Sequence, residues 1–180
     1  AITLDASYFG VPQSRKRFFL IGRLQGKHNE LVDRFKMKCS SKPMTVREYL
    51  GNSLNTEYYY RHPRNYNRRG IFSVDEPSPT VRGVNRPIPP EYEKKGIMPE
   101  GVSIEEVRSL TSRERSYIQT FPKDFILDGP KTHLELMIGN SVPVNLAKVV
   151  GEIILNFKEF PVDIFDEDND KTSPVFQSLP

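Results

Sequence analysis

Apolar positions along the chain fall into a few short runs separated by polar, Pro-rich and basic stretches. Phe18-Phe19-Leu20-Ile21, bounded by Arg17 and Gly22, predicts a buried strand. A buried strand needs neighbours on both sides, and little chain precedes this one, which points to a piece of a larger body. Residues 23–44 are basic and polar and read as linker-like, with one helix near Glu30–Phe35. Thr45-x-x-Glu48 has capping-box spacing and starts a short helix ending at Gly51. Ser103-x-x-Glu106 and Thr111-x-x-Glu114 repeat that spacing; the second starts a helix running to about Gln119 and stopped by Phe121-Pro122. Gly139-Asn140-Ser141-Val142 leads to Pro143, which fits the first turn of a longer helix. Val144, Leu146, Ala147, Val149, Val150, Ile153, Ile154 and Phe157 are too many for one narrow stripe, so this helix is expected to be buried on much of its circumference. Between these elements, residues 58–90 read as an irregular, β-containing segment with mobile loops, and the chain from Pro161 onward as disordered. No internal repeat is visible.

Length and composition narrow the classes. With 180 residues the chain makes one ordinary domain or two very small ones, and 37% hydrophobic residues allow only a lean core. Fifteen Pro and eleven Gly predict a loop-rich fold. No apolar run reaches bilayer length, so no membrane span is expected, and no secretory leader opens the chain. Cys39 is the single cysteine, which excludes an internal disulfide and a multi-cysteine zinc site and suits a cytoplasmic setting. His28, His62 and His133 are scattered without acids at ligand spacing, so no metal is expected. Lys36 and Lys38 are expected to lower the Cys39 pKa a little, and an incidental free thiol is the simpler reading. The net charge of +3 hides a split: residues 151–180 carry −5 and residues 1–150 carry +8. A basic body suits a polyanion ligand, and a solvated mixed surface suits it equally.

Three stretches carry candidate chemistry. Gln13, Arg15 and Arg17 stand at alternate positions, so extended backbone would aim all three at one ligand; a solvated basic approach to the strand explains them as simply. Tyr58, Tyr59, Tyr60, Arg61, Arg64, Tyr66, Arg68, Arg69, Arg82 and Arg86 interleave aromatic and guanidinium groups over residues 58–86, with Gly83 between the last two arginines. That mixture suits base stacking and phosphate contacts as well as an irregular surface over buried rings. Gly139-Asn140-Ser141 at a helix start would offer free N–H groups to an anion, or would simply cap the helix.

In order, three motifs resemble one family. Gly10-Val11-Pro12-Gln13-Ser14-Arg15-Lys16-Arg17-Phe18 is similar to the GVPQ-x-R-x-R motif of DNA cytosine-C5 methyltransferases. Arg108-Ser109-Leu110-Thr111-Ser112-Arg113-Glu114-Arg115, followed by Gln119-Thr120-Phe121-Pro122-Lys123-Asp124-Phe125, resembles the R-x-LT-x-RE…Q-x-FP-x-DF segment. Gly139-Asn140-Ser141-Val142-Pro143 resembles the closing GN-[AS]-VP motif. The likeness covers roughly residues 5–158. The F-x-G-x-G cofactor loop, the Pro-Cys nucleophile and the Glu-Asn-Val segment are not found, and Cys39 lies in the wrong context to be that nucleophile.

The resemblance implies the C-terminal portion of such an enzyme, as a subunit, a truncated product or a fragment. It implies an α/β fold: edge strands and the closing helix of a Rossmann-like methyltransferase domain, plus a small irregular β-containing target-recognition domain. The implied division is 1–40, the last strands of the catalytic domain; 41–138, target recognition; 139–159, a helix returning to the catalytic domain; and 160–180, the acidic tail. In the implied chemistry a thiolate adds to C6 of a flipped cytosine, C5 takes a methyl group from S-adenosylmethionine, and the C5 proton leaves. Arg17 would contact O2 of that cytosine, Arg15 and Gln13 would hold the DNA backbone and order the site, and Asn140 and Ser141 would touch the cofactor. Arg61, Arg64, Arg68, Arg69, Arg82 and Arg86 would meet DNA, with Arg82 and Arg86 suited to guanine. Glu76–Gly83 would anchor the recognition module, while Arg113 and Glu114 would be structural. The implied partners are double-stranded DNA and a chain or segment carrying the N-terminal motifs. A non-catalytic, sequence-preferring DNA-binding module is the alternative.

Overall fold

The computed structural model describes residues 1–22, 28–65 and 67–156. Tyr66, Phe157 and the acidic tail, on which some expectations rest, lie outside the described residues. Helices and short strands mix throughout, in an α/β arrangement of three small sheets.

Strand β1 (Ile2–Asp5) leads into a 3-10 turn at Ala6–Tyr8, followed by β2 (Gln13–Ser14) and β3 (Lys16–Phe19). β1 and β3 pair antiparallel, with Ile2 opposite Phe19 and Leu4 opposite Arg17. The strand expected to be fully buried has two unlike faces. Phe19 and Ile21 pack on a core of Ile2, Leu4, Ala6, Phe9, Val11, Phe35, Leu146, Val150 and Ile153, while Phe18 and Leu20 are 54% and 78% exposed. Period-two alternation sends successive side chains to opposite faces, and among the described residues nothing covers the outer one. Helix α1 (His28–Lys38) is longer than expected and belongs to this core: Phe35 is fully buried and meets Phe9 edge to face, with ring centroids 6.5 Å apart.

Helix α2 (Val46–Leu50) begins at Thr45 with both capping-box bonds, Glu48 N–H to Thr45 Oγ1 at 3.1 Å and Thr45 N–H to Glu48 Oε2 at 2.8 Å, and ends at Gly51 with φ 57°. Strands β4 (Tyr58–Tyr60), β5 (Ile71–Ser73) and β6 (Ser78–Pro79) follow, then the one-turn helix α3 (Tyr92–Lys95) and strand β7 (Val107–Ser109). β4 is the centre of a three-stranded sheet, antiparallel to β5 and parallel to β7. β6 instead pairs parallel with β2, Gln13 opposite Ser78. Ser103 starts only a 3-10 turn, Ile104–Glu106, because the chain becomes extended again at Val107; Ser103 Oγ accepts from the Glu105 N–H and no full capping box forms. Helix α4 (Ser112–Ile118) is capped by Thr111 and Glu114 as expected, and Thr120, at φ 60°, turns the chain after it.

Helix α5 (Lys131–Asn140) has no clear periodic signature, because its buried residues, Glu135, Ile138 and Gly139, include an acid and a glycine. Gly139-Asn140-Ser141 therefore ends a helix instead of starting one, with Ser141 as the C-cap. Pro143 is the N-cap of α6 (Val144–Leu155). α6 buries one stripe, Leu146, Val150 and Ile153, while Ile154 and Leu155 are 46% and 81% exposed. The stretch Lys131–Leu155 has the length and apolar character of a membrane span, but Ser141–Pro143 divides it into helices of 10 and 12 residues. Each is shorter than the roughly 20 residues a bilayer crossing needs.

Two further cores occupy the middle of the chain. One gathers Val46, Leu54, Tyr59, Val74, Val81, Leu110, Ile118 and Ile138, and the other Tyr60, Ile71, Tyr92 and Val107.

Candidate nucleic-acid interface and its anchoring network

The extended backbone at Gln13–Arg17 lies across the end of α5, β6 with the residues that follow it to 83, and the turn after α4. Gln13 is fully buried. Its amide is oriented without ambiguity. The Ile138 carbonyl requires a donor from Gln119 Nε2 (2.6 Å), so Gln119 Oε1 must accept, and Gln13 Nε2 donates to it at 2.8 Å. Gln13 Oε1 then accepts the Val81 N–H at 2.8 Å. Arg15, 3% exposed, takes the other side of the same residue, donating to the Val81 carbonyl and to the Gly139 carbonyl, both at 2.8 Å. Two side chains thus satisfy both backbone groups of Val81, as a neighbouring strand would. The Ser78 N–H to Pro12 carbonyl bond (2.9 Å) and Thr80 Oγ1 to the Ser14 carbonyl (3.0 Å) extend the seam. The N–H of Val144 reaches the Gln119 carbonyl at 3.0 Å, and Asn145 Nδ2 reaches the Gly10 carbonyl at 2.7 Å. A Cβ at Gly139 would overlap the backbone of Arg82 and Gly83, so glycine is needed for this approach.

The three expected ligand-facing residues therefore separate. Gln13 and Arg15 are buried and spend their hydrogen bonds inside the protein, on Gln119, Val81 and Gly139. Arg17 is only half buried, bonds its guanidinium to the Lys16 carbonyl at 3.0 Å, and has no carboxylate partner among the described residues. Partial burial lowers its pKa from the usual arginine value, and it stays a cation.

Beside Val81 lies a cluster of cations. Arg61 donates to the Thr80 carbonyl at 3.2 Å, Arg82 to the His62 carbonyl, and Arg115 to the Arg82 carbonyl. Burial, then the charges of Arg82 and Arg64, brings Arg61 down to about 10. Burial, then the charges of Arg61 and Arg82, act to lower the Arg115 pKa. Burial, reinforced by Arg86, Arg82 and Arg61, holds His62 below its usual range, so it is neutral at pH 7. Glu135 pairs with Arg115, while Arg61, Arg64, Arg82 and Arg86 have no carboxylate partner among the described residues. Unpaired guanidinium groups at this density suit a polyanion. Two other arginines of the row have different surroundings. Arg69 is held by Glu76, by the Ile71 carbonyl (2.7 Å) and over the Phe72 ring (4.6 Å), so its charge is neutralised within the chain. Arg68 is exposed away from this hydrogen-bonded set, with no side-chain partner among the described residues.

Asn140 is exposed and its side-chain amide makes no hydrogen bond among the described residues, whereas Ser141 Oγ already donates to the Ile138 carbonyl at 2.8 Å. Cys39, expected to have a lowered pKa, has it raised by burial instead. No cluster of potential metal ligands occurs among the described residues. Sequence reasoning missed Gln119 and the Arg115–Glu135 pair. The signal for Gln119 was present, an amide at the head of the Gln119-Thr120-Phe121-Pro122 stretch that stops the helix. Glu135 gave none.

Residues 1–156 match the family model for the C-5 cytosine-specific DNA methylase. The chain belongs to this family. Among curated relatives, it is 66% identical over 159 residues to the Type II methyltransferase M.HindV of Haemophilus influenzae, covering 88% of this chain and 52% of that protein. It is 55% identical over 146 residues to the Type II methyltransferase M.HgiDI of Herpetosiphon aurantiacus, covering 81% and 47%. To the Type II methyltransferase M.MspI of a Moraxella species it is 29% identical over 162 residues. The chain spans about half the length of the first two of these relatives.

Proposed function

We propose that this chain is the C-terminal part of a DNA cytosine-C5 methyltransferase that binds duplex DNA, recognises a target sequence and completes the active site around a flipped cytosine. In this reading residues 1–40 and 139–159 belong to the catalytic body, and 41–138 form the target-recognition domain. The separation of the core at residues 2–35 and 146–153 from those at 46–138 supports that division. The observation that carries the proposal is the Val81 clamp. Gln13 and Arg15, four and two residues before Arg17, fix the backbone next to Arg82. The same stretch of chain thus sets both the Arg17 side chain and the root of the cationic loop.

Within this reading, Arg17 donates to O2 of the extruded cytosine and stabilises the negative charge that builds on the ring as a thiolate adds to C6. That thiolate comes from a partner chain or segment; the raised pKa and partial burial of Cys39 fit a bystander. S-adenosylmethionine would supply an electrophilic methyl group. The free Asn140 amide, which offers both a donor and an acceptor, fits a polar edge of that cofactor, and Ser141 has acceptor capacity left. Arg82, Arg86, Arg61 and Arg64 meet the DNA, Arg82 and Arg86 at base edges. The uncovered Phe18, Leu20, Ile154 and Leu155 fit a surface that packs against the segment carrying the N-terminal motifs. The test combines the chain with the N-terminal half of a family member, labelled S-adenosylmethionine and duplex DNA. Methyl transfer that is lost in Arg17→Ala, with DNA binding retained, is expected. Absence of both transfer and DNA binding with the wild-type chain would refute it.

A further inference from the structure

Resting on that reading, we propose that the buried Arg115–Glu135 pair is a specificity latch. It sets the pose of the 82–86 loop, and so the base pair that Arg82 and Arg86 read, without touching DNA itself. Arg115 lies on α4 and Glu135 on α5, with side chains 8% and 4% exposed. The pair grips the loop at two points. Arg115 donates to the Arg82 carbonyl, and Glu135 Oε1 accepts from Asn85 Nδ2 at 3.0 Å. Asn85 Nδ2 also donates to the Leu110 carbonyl at 2.8 Å, and Ser112 Oγ holds Glu135 Oε1 at 2.7 Å. Only Gly83 and Val84 lie between the two points. Gly83 is packed against Leu136, and Ser109 Oγ holds the Arg86 carbonyl at 3.2 Å.

Stability alone is a weak reason for such a pair, since well-packed apolar residues often serve a fold as well as a buried ion pair does. Geometry is a stronger one. A loop with glycine inside it has many poses, and a guanidinium that bridges Glu135 and the Arg82 carbonyl, with a carboxylate of fixed partners, selects one. Glu135 is also the carboxylate paired with Arg115, which itself feels the charges of Arg61 and Arg82. Removing its charge leaves the cluster more cationic. General attraction for DNA then holds or rises while the selected pose is lost.

That pairing of effects separates a latch from a mere support, whose loss weakens binding to every duplex alike. The preferred duplex of the 180-residue chain is selected from a randomised library, and binding to it and to a scrambled duplex is measured by fluorescence anisotropy at one fixed salt concentration. In Glu135→Gln the affinity ratio between the two duplexes is expected to fall about tenfold, the scale of a lost base contact. Affinity for the scrambled duplex should be unchanged or higher. Asn85→Ala removes the loop end of the latch while leaving the ion pair, and should lower the ratio in the same way; it decides the matter if Glu135→Gln does not fold. Folded variants with an unchanged ratio, or with parallel losses on both duplexes, would overturn the latch alone. A wild-type chain that selects no sequence would overturn the recognition reading and the latch with it, before any variant is made.

Discussion

Gln13→Glu is nearly isosteric, yet the structure makes it costly at neutral pH and mild in acid. Gln13 must donate to Gln119 Oε1 and accept from the Val81 N–H. An ionised carboxylate keeps the second bond but sets an anionic oxygen against the Gln119 oxygen. Losing the buried bond while leaving an acceptor unpaired costs about 1–3 kcal/mol, and a buried charge adds more. Arg15, on the opposite side of Val81, offsets part of that, leaving about 2–4 kcal/mol, a large share of a stability of about 5–15 kcal/mol. A protonated carboxyl restores both bonds, so its pKa in the folded chain lies above the ordinary value of about 4.3. The deficit is therefore full above the folded pKa, shrinks as the pH falls through it, and vanishes below the unfolded pKa. Urea unfolding followed by circular dichroism at pH 7.5 and near pH 4.5 measures both ends. A variant within about 0.5 kcal/mol of wild type at pH 7.5, or one whose deficit grows toward acid, would refute the amide assignment.

Other outcomes follow from the same network. Gly139→Ala should destabilise the chain by about 3 kcal/mol or more, since backbone cannot yield as a side chain can. Gly151→Ala, with nothing within 4 Å of its Cβ, should instead stabilise α6 by about 0.5–1 kcal/mol; thermal melts of both check this. Glu114 is held below its usual carboxylate range. Burial opposes this, and the Arg108 hydrogen bonds together with the Thr111 N–H and hydroxyl outweigh it. Its contribution is therefore present above its unfolded pKa and lost as the pH falls through the folded one, so Glu114→Gln should flatten acid unfolding between about pH 5 and 2. The Cys39 thiol, raised by burial, should be alkylated by iodoacetamide at pH 7.5 more slowly in the folded chain than after unfolding in urea, as mass spectrometry would read.

Local signals were fully legible. The two capping boxes at Thr45 and Thr111 are contained within four residues each, and both form with the expected partners, because a capping box needs only its own turn. Ser103 shows the limit of that logic: its spacing is the same, but the strand pairing of Val107 with Tyr58 takes the chain before a helix can form. Gln13 and Arg15 stood out by residue type and spacing, yet alternation along extended backbone says only which residues share a side. Whether that side meets solvent, DNA or protein depends on Val81, Gln119 and Gly139, between 66 and 124 residues away in sequence. Likewise, Arg69 and Arg82 look alike in a row of arginines until the fold brings Glu76 to one and the His62 carbonyl to the other. By itself the sequence determined the helix starts at Thr45 and Thr111, the order of the three motifs, and the basic character of residues 1–150. Only the tertiary structure decided which cations remain available and which are spent on the scaffold, because a charge is neutralised by whatever the fold places within a few ångströms of it, and that distance is not written in the spacing of residues along the chain.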